Sequence, residues 1–264
     1  MQRVQTIRGV VRTACLVLLM GFSVNAAYAI DHDNLDEGRP LRLEDAYPIA
    51  QGEWALETGA GLLAHRNSRA RGLFLAEVLY GLAPNLQVSL GTTFLTDPNR
   101  IQEQTKSGDL QLSGLYNFNQ ETLKLPAFAV RVTVNVPSGT ASSGADFRIK
   151  GIVTKSIGRL SVHFNPAYEV FSGTAPFERD GRYELALGAS YPVGAPKHTL
   201  TTLLGDVFTE QAPRRGEPQI AGAEIGVRRQ WTPWTVFDAG IGTEFAGPPH
   251  RSSFFATVGL SVGF

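Results

Sequence analysis

Two stretches of the sequence alternate strictly between large apolar residues and small or polar ones. In residues 126–137 the apolar positions are Phe128, Val130, Val132, Val134 and Val136, and the positions between them are Ala127, Ala129, Arg131, Thr133 and Asn135. Residues 253–264 repeat this pattern up to the final Phe264. A period of two indicates a β-strand with two different faces. One uniformly apolar face opposite a small, polar one suits a strand between lipid and a polar lumen.

The same alternation recurs, with varying regularity, through residues 50–264 and predicts twelve strands. They are 52–64, 72–83, 85–96, 108–118, 126–137, 145–157, 160–171, 181–193, 198–209, 219–230, 234–246 and 252–264. Because the first, ninth and tenth alternate less cleanly, ten strands is the alternative count. Two all-β architectures fit this length: a soluble sandwich or barrel, and an antiparallel up-and-down transmembrane barrel, which must close on itself in lipid.

The connections between the predicted strands favour the transmembrane barrel. Every second connection is short, as at 83–85 and 231–233, whereas 97–106, 172–180 and 210–218 are longer and charged. Outer-membrane barrels have short periplasmic turns and longer external loops. A soluble sandwich has no reason to alternate in this way.

The first 29 residues resemble a secretory signal. Three arginines precede an apolar core at 14–24, and Ala27, Tyr28 and Ala29 form a small-x-small cleavage site. The core is shorter than the roughly 20 residues of a spanning helix. We therefore expect cleavage after Ala29 and export through the inner membrane to the cell outer membrane.

These features divide the chain into three parts. Residues 1–29 are the predicted signal peptide and residues 52–264 the predicted barrel. Residues 30–51 lack strand periodicity, and are expected either to lie in the periplasm or to enter the lumen.

Composition excludes several classes of site. The one cysteine, Cys15, lies in the signal, so the exported chain has no disulfide, no cysteine metal site and no thiol nucleophile. Removing the signal takes away three of 24 basic residues and none of 24 acidic ones, which leaves a net charge of −3. No nucleic-acid surface is expected, and no cofactor or metal is predicted. Gly59 and Gly240 are interpreted as barrel kinks or as room for lumen neighbours.

Strand parity places a group of charged residues on the lumen side. The candidates for lumen and selectivity residues are Arg131, Arg148, Lys150, Glu184, Glu224, Arg228, Asp238 and Glu244. The first three form a basic wall, and an opposite wall is mostly acidic. One hypothesis is that this transverse field orients a polar or zwitterionic solute in a constriction. The other is that the charges pair across the lumen and fill it.

An enzyme is not expected. Outer-membrane phospholipases carry a His-x-Ser-Asn-Gly arrangement on the lipid face, whereas His163, Phe164 and Asn165 lack the serine and His163 points inward by parity. No positioned nucleophile and base are visible in the sequence. His32 and Asp33, with neighbouring aspartates, have metal-ligating types, but acidic termini are usually only solvated.

Three short motifs resemble a known family. They are RPLRLEDAYPIAQGEWALE at 39–57, SGDLQL at 107–112 and VNVPSG at 134–139. They are similar to the outer-membrane barrels labelled "MetA-pathway of phenol degradation", also called transporter-like, over residues 39–264. The resemblance implies uptake or export of small, often apolar or aromatic, compounds and no catalytic residues.

The expected function is an outer-membrane channel for small molecules. Its expected partners are membrane lipid, small-molecule solutes and, through Phe264, the barrel assembly machinery. The alternative is a structural or adhesion barrel with a closed lumen, and a lipid hydrolase is the less favoured third reading. A continuous open lumen distinguishes the first function from the second.

Overall fold

The structure is a closed, antiparallel barrel of twelve strands, in a computed structural model that describes residues 30–65, 70–97, 104–140, 142, 144–194 and 200–264. The strands are β1 (Trp54–His65), β2 (Arg71–Ala83), β3 (Leu86–Asp97), β4 (Gln104–Asn119), β5 (Ala127–Val136), β6 (Asp146–Ile157), β7 (Leu160–Phe171), β8 (Gly181–Val193), β9 (Thr201–Glu210), β10 (Ile220–Thr232), β11 (Thr235–Ala246) and β12 (Ser252–Gly263). Each strand pairs with its neighbours in sequence, and β1 pairs with β12. The transmembrane barrel and the count of twelve are therefore confirmed.

Strand boundaries agree with the alternation to within a few residues. The largest difference is at β4, which begins at Gln104 rather than at residue 108. Its pairing with β3 continues to Asp97 and Gln104, so the outer loop is shorter than predicted. Backbone hydrogen bonds extend the hairpin above the apolar band, where the side-chain pattern that predicted the strand has ended. The predicted signal peptide lies outside the described residues.

The two faces of the strands have the predicted chemistry. On β5, Phe128 is 38% exposed on the outer face, whereas Arg131 is 3% exposed on the inner face. On β12, Val258 is 57% exposed and Ser261 is fully buried. The outer surface is thus an apolar band for lipid, and the inner one is polar. No helix in the described part of the chain is long and apolar enough to cross a membrane.

Residues 30–51, named the inner segment below, lie within the barrel. Leu35, Leu41 and Leu43 pack against inward side chains of β8, β9, β10 and β12, including Phe208 and Phe255. Ile30 and Ile49 form a second cluster with wall residues, and Ala46 belongs to a third. The hydrophobic core therefore lies between this segment and the barrel wall, and burial of these side chains is the main apolar force holding the segment in place.

Two inward glycines leave room for the inner segment. A Cβ atom at Gly59 would lie 2.6 Å from Cδ of Arg39, and one at Gly240 would lie 2.5 Å from the carbonyl oxygen of Pro40. Both separations are too short for a real side chain. Of the two interpretations of these glycines, the structure shows the close approach of a lumen neighbour.

Candidate functional site in the barrel lumen

All eight candidate charges point into the lumen, as strand parity predicted. Arg131 on β5 faces Lys150 on β6 in the strand register, and Arg228 on β10 faces Asp238 on β11. β5 and β6 lie across the closed barrel from β11 and β12. The walls of opposite charge are therefore present, although Arg228 lies on the acidic side.

The basic wall binds two carboxylates of the inner segment. Nε of Arg131 lies 2.8 Å from Glu44 and its Nη1 lies 3.0 Å from Glu37. Nζ of Lys150 lies 3.1 Å from Glu44. Burial by itself raises the pKa of the Glu37 carboxyl, but Lys150, Arg131 and Arg148 outweigh it and hold that pKa below its ordinary value. The Glu37 carboxylate is thus held as an anion against this wall.

The acidic wall binds Arg39 of the inner segment in the same way. Its guanidinium lies 2.9 Å from Glu57 and 3.2 Å from Asp238. It also donates to the carbonyl oxygen of Thr58 at 2.8 Å and to the hydroxyl of Ser261 at 3.0 Å. Because Arg39 is only 1% exposed, this is a fully desolvated charge with several acceptors.

Arg42 also contacts the acidic wall, but its side chain is more exposed than that of Arg39. Its guanidinium lies 2.9 Å from Glu210, 3.3 Å from Glu224 and 3.5 Å from Glu184. Its Cζ lies 3.8 Å from the centre of the Phe208 ring. The side chain keeps 25% of its surface exposed, in contrast to Arg39. Arg42 therefore faces open space in the lumen.

Arg228, Arg148 and Glu244 complete the set of candidates. Nη1 of Arg228 lies 2.9 Å from Asp36 of the inner segment. Arg148 lies 3.3 Å from Glu184 on the neighbouring side of the lumen. Glu244 accepts a hydrogen bond from the backbone of Ser252 at 2.7 Å, and has no ion pair among the described residues. Through Glu37 and Arg42, ion pairs thus connect five of the eight candidates, which are Arg131, Arg148, Lys150, Glu184 and Glu224.

The sequence reasoning missed the partner of these walls. Four charged residues of the inner segment, Glu37, Arg39, Arg42 and Glu44, place acids toward the basic wall and bases toward the acidic wall. Neither the transverse-field hypothesis nor pairing across the lumen contained this arrangement. The mixed charges at 36–45 were the available signal, but nothing in them shows which strand each one meets.

Open space remains on both sides of the inner segment. At the end with the longer loops a cavity of about 360 Å³ is lined by Arg42, Glu77, Glu244 and neighbours, and a space of about 230 Å³ adjoins it. A cavity of about 510 Å³ at the other end is lined by residues that include Asp45 and His163. Between them lie the buried Arg39 and Leu43. The described lumen therefore has a closed middle between two vestibules. The outer vestibule lies at the end with the longer loops, and the periplasmic vestibule lies at the end with the short turns.

The periplasmic vestibule contains a serine and histidine pair that the sequence did not suggest. Nε2 of His163 lies 3.0 Å from Oγ of Ser190, and its Nδ1 lies 3.2 Å from Oγ1 of Thr154. His163 faces inward, as parity predicted. In serine hydrolases a carboxylate on Nδ1 stabilises the imidazolium that forms. A threonine hydroxyl takes that place here, so this arrangement is a buried polar network rather than a catalytic triad.

The acidic start of the inner segment brings metal-ligating atoms together. Ligand atoms of Asp31, His32 and Asp33 lie within 4.8 Å of one another, while Asp36 pairs with Arg228 instead. Nδ1 of His32 lies 2.8 Å from the hydroxyl of Thr202. Exposed acidic groups near a chain end are common without an ion, and the absence of a metal stays a prediction.

Burial predicts different roles for the two arginines of the basic wall. The side chain of Arg131 is 4% exposed and that of Arg148 is 23% exposed. Arg131→Ala is expected to lower the free energy of unfolding by about 3 kcal/mol, because buried Glu44 loses one of two cations. Arg148→Ala is expected to lower it by about 1 kcal/mol or less. Denaturant unfolding followed by tryptophan fluorescence measures both, and equal losses would contradict this assignment.

Comparisons with known proteins agree with this architecture. The profile of a family described as "Putative MetA-pathway of phenol degradation" matches residues 46–259. An outer membrane channel from Pseudomonas putida F1 is similar with a TM-score of 0.66 and 13% identity, over 88% of this chain and all of that one. The NanC porin has a TM-score of 0.56 and 12% identity, over 78% and 98% of the two chains.

The KdgM porin has a TM-score of 0.53 and 11% identity, over 80% of this chain and 99% of that one. A search of curated proteins found no match. At these identities the solved structures establish the shared barrel fold alone.

Proposed function

The chain belongs to the family described as "Putative MetA-pathway of phenol degradation", and on this premise we propose that it passes small molecules, including apolar or aromatic ones, across the outer membrane. The chain is an outer-membrane β-barrel, with its lipid-facing band and closed sheet. Several similar solved structures are described as outer membrane channels or porins.

The observation that carries the proposal is the pair of vestibules on either side of the inner segment. Ion pairs, side-chain hydrogen bonds and apolar packing hold this segment. Within residues 30–49 there is one isolated β-bridge, between Asp36 and Arg39, and both of these residues belong to the inner segment rather than to the barrel sheet. A segment held in this way is able to shift without breaking the barrel sheet. Passage of a solute therefore requires movement of the inner segment rather than of the strands.

The lining of the outer vestibule suggests which solutes to test. Leu63, Leu73 and Phe255 line it together with Leu41 of the inner segment, next to the charged residues. Apolar surface with a few polar groups is typical of sites for small organic molecules. The family description names a phenol pathway, so aromatic compounds are the first class to measure.

The closed middle of the lumen supports the second function, a structural or adhesion barrel. Arg39, Leu41 and Leu43 are each at most 3% exposed. Such a barrel would keep the inner segment in place permanently. We do not propose an enzyme, because the serine and histidine pair has a threonine in place of the acid.

We also propose that Phe264 is read by the barrel assembly machinery. Its backbone exchanges hydrogen bonds with Trp54 at 3.0 and 2.9 Å, which places Phe264 at the seam where β1 meets β12. A residue at this closing seam is suited to a step that completes the barrel.

The test is single-channel recording of the folded protein, residues 30–264, in a planar bilayer. Small discrete steps are expected, because the vestibules are open but the closed middle opens only when the inner segment moves. Uptake of phenol by protein-containing liposomes is measured in parallel. A barrel that is folded by its heat-modifiable mobility, yet silent and impermeable in both assays, would favour the structural function.

A further inference from the structure

We propose that the outer vestibule contains a binding site for an amphiphilic organic cation, formed by acidic residues around Arg42, and that Arg42 occupies this site as an internal ligand. The ligand class is a solute with an ammonium, amidinium or guanidinium group attached to an apolar body. The proposal rests on the proposed function only for the route by which the solute arrives.

The first observation is an excess of negative charge around one guanidinium. Arg42 lies within 3.5 Å of three carboxylates, those of Glu184, Glu210 and Glu224. Arg148 lies 3.3 Å from Glu184, and Arg182 lines the adjoining space. Arg42 is shared by all three carboxylates, and Arg148 pairs with one of them. The three anions therefore favour the binding of further positive charge.

The second observation is a buried acid without a basic partner. Asp206 on β9 faces Glu224 on β10 in the strand register. It is 6% exposed, and neither of its carboxylate oxygens has a donor in hydrogen-bond geometry. No ion pair among the described residues includes Asp206. A buried acid that faces a second acid is costly unless a cation approaches the pair, so the pair of Asp206 and Glu224 favours the approach of further positive charge.

The third observation is an aromatic and apolar surface beside the acids. The Phe208 ring lies under the guanidinium of Arg42 at 3.8 Å, and its centre lies 6.4 Å from that of Phe255. Phe255 lines the same vestibule as Leu63 and Leu73. An organic cation with an apolar body would place its charge at the acids and its body against these side chains.

The aromatic face also favours an organic cation over a metal ion. A divalent metal is strongly hydrated and takes six or more oxygen ligands. A guanidinium is planar and weakly hydrated, and it stacks on rings. Because a guanidinium already sits between Phe208 and the carboxylates, the site has the shape and chemistry of that group.

Internal occupation by Arg42 makes the site sensitive to competition. A solute binds only while the Arg42 side chain is away from the site. Its apparent affinity is therefore its intrinsic affinity multiplied by the fraction of time that the site is empty. Arg42 belongs to the inner segment, and its side chain is 25% exposed. Displacement of Arg42 by a solute would therefore release one of the charged contacts that hold this segment against the acidic wall.

Calorimetric titration with benzamidine hydrochloride tests the site on the folded protein, residues 30–264, in detergent. Benzamide, its neutral isostere, and benzoate, its anionic relative, are the ligand controls. Arg42→Gln is expected to bind benzamidinium about tenfold more tightly than the unmodified protein, because the internal competitor is gone. Adding Asp206→Asn or Glu210→Gln to Arg42→Gln should reverse most of this gain.

Asp180→Asn is the matched control, since Asp180 lies on an outer loop with 76% side-chain exposure and pairs with Arg215. It should leave benzamidinium affinity unchanged. Folding of each variant is checked by heat-modifiable mobility. If Arg42→Gln does not fold, Arg42→Lys is used, and an intermediate gain is expected because an ammonium lacks the planar fork.

The proposal is overturned if Arg42→Gln binds benzamide as well as benzamidinium, or shows no gain. It is also overturned if Ca²⁺ binds that variant and benzamidinium does not. Binding in detergent is independent of conduction, so a silent barrel with the expected binding would contradict the channel alone. A conducting barrel without that binding would contradict the cation site alone.

Discussion

Deletion of residues 30–47 is expected to raise the single-channel conductance severalfold while the barrel stays closed. The inner segment separates the two vestibules, and its Leu41 and Leu43 are buried at 3% and 2% exposure. The twelve strands pair with one another and none pairs with the segment. Its removal should therefore leave the sheet intact and widen the narrowest part of the lumen. Planar bilayer recording of the deleted and full-length proteins measures this directly.

A synthetic peptide of residues 30–47 is the control for this deletion. Its charges match both walls, through Glu44 with Arg131 and Arg39 with Asp238. Added to the deleted barrel, the peptide should restore the low conductance, and a peptide of scrambled sequence should not. A deleted barrel with heat-modifiable mobility and unchanged conductance would show that the segment does not limit the pore.

Arg39→Ala is expected to produce the largest loss of stability of any single substitution discussed for this chain, about 3–5 kcal/mol in the free energy of unfolding. Arg39 is 1% exposed and neutralises Glu57 and Asp238, which lie 2.9 and 3.2 Å away. Without it, two buried carboxylates face each other with no guanidinium between them. The denaturant midpoint, followed by tryptophan fluorescence, measures the loss.

Neutralising both carboxylates should restore part of that stability. Glu57→Gln with Asp238→Asn in the Arg39→Ala protein removes the unpaired charges, although the hydrogen bonds of Arg39 stay lost. Arg215→Ala is the exposed control, because Arg215 is 57% exposed in its pair with Asp180. Its loss should be no more than about 1 kcal/mol. Similar losses for Arg39→Ala and Arg215→Ala would show that the buried pair carries no special weight.

The barrel itself followed from local pattern. Alternation on β5 and β12 separated the lipid face from the lumen face, and the order of short and long connections distinguished a membrane barrel from a sandwich. These signals are local because a strand's two faces alternate residue by residue, whatever the strand pairs with. The less regular β1, β9 and β10 were also predicted as strands, although their exact ends differ from the prediction.

The sequence predicted which charged side chains point into the lumen, but not which residues they pair with. Parity placed Arg131, Lys150 and Asp238 inside the lumen, where the structure has them. The inner segment has no strand period, and its contacts join residues far apart in the chain. Arg39 and Asp238, for example, are separated by 199 positions. No local pattern shows which wall such a segment will meet.

By itself, therefore, the sequence determined a twelve-stranded barrel with charges of opposite sign on opposite walls. Only the tertiary structure decided that Glu44 and Arg39 neutralise those walls, that Arg42 occupies an acidic and aromatic site, and that Asp206 faces a second acid, Glu224. The physical reason is that the side-chain direction of a strand is set by adjacent residues. The pairing of charges across a lumen is set instead by closure of the barrel and by the path of a segment threaded through it.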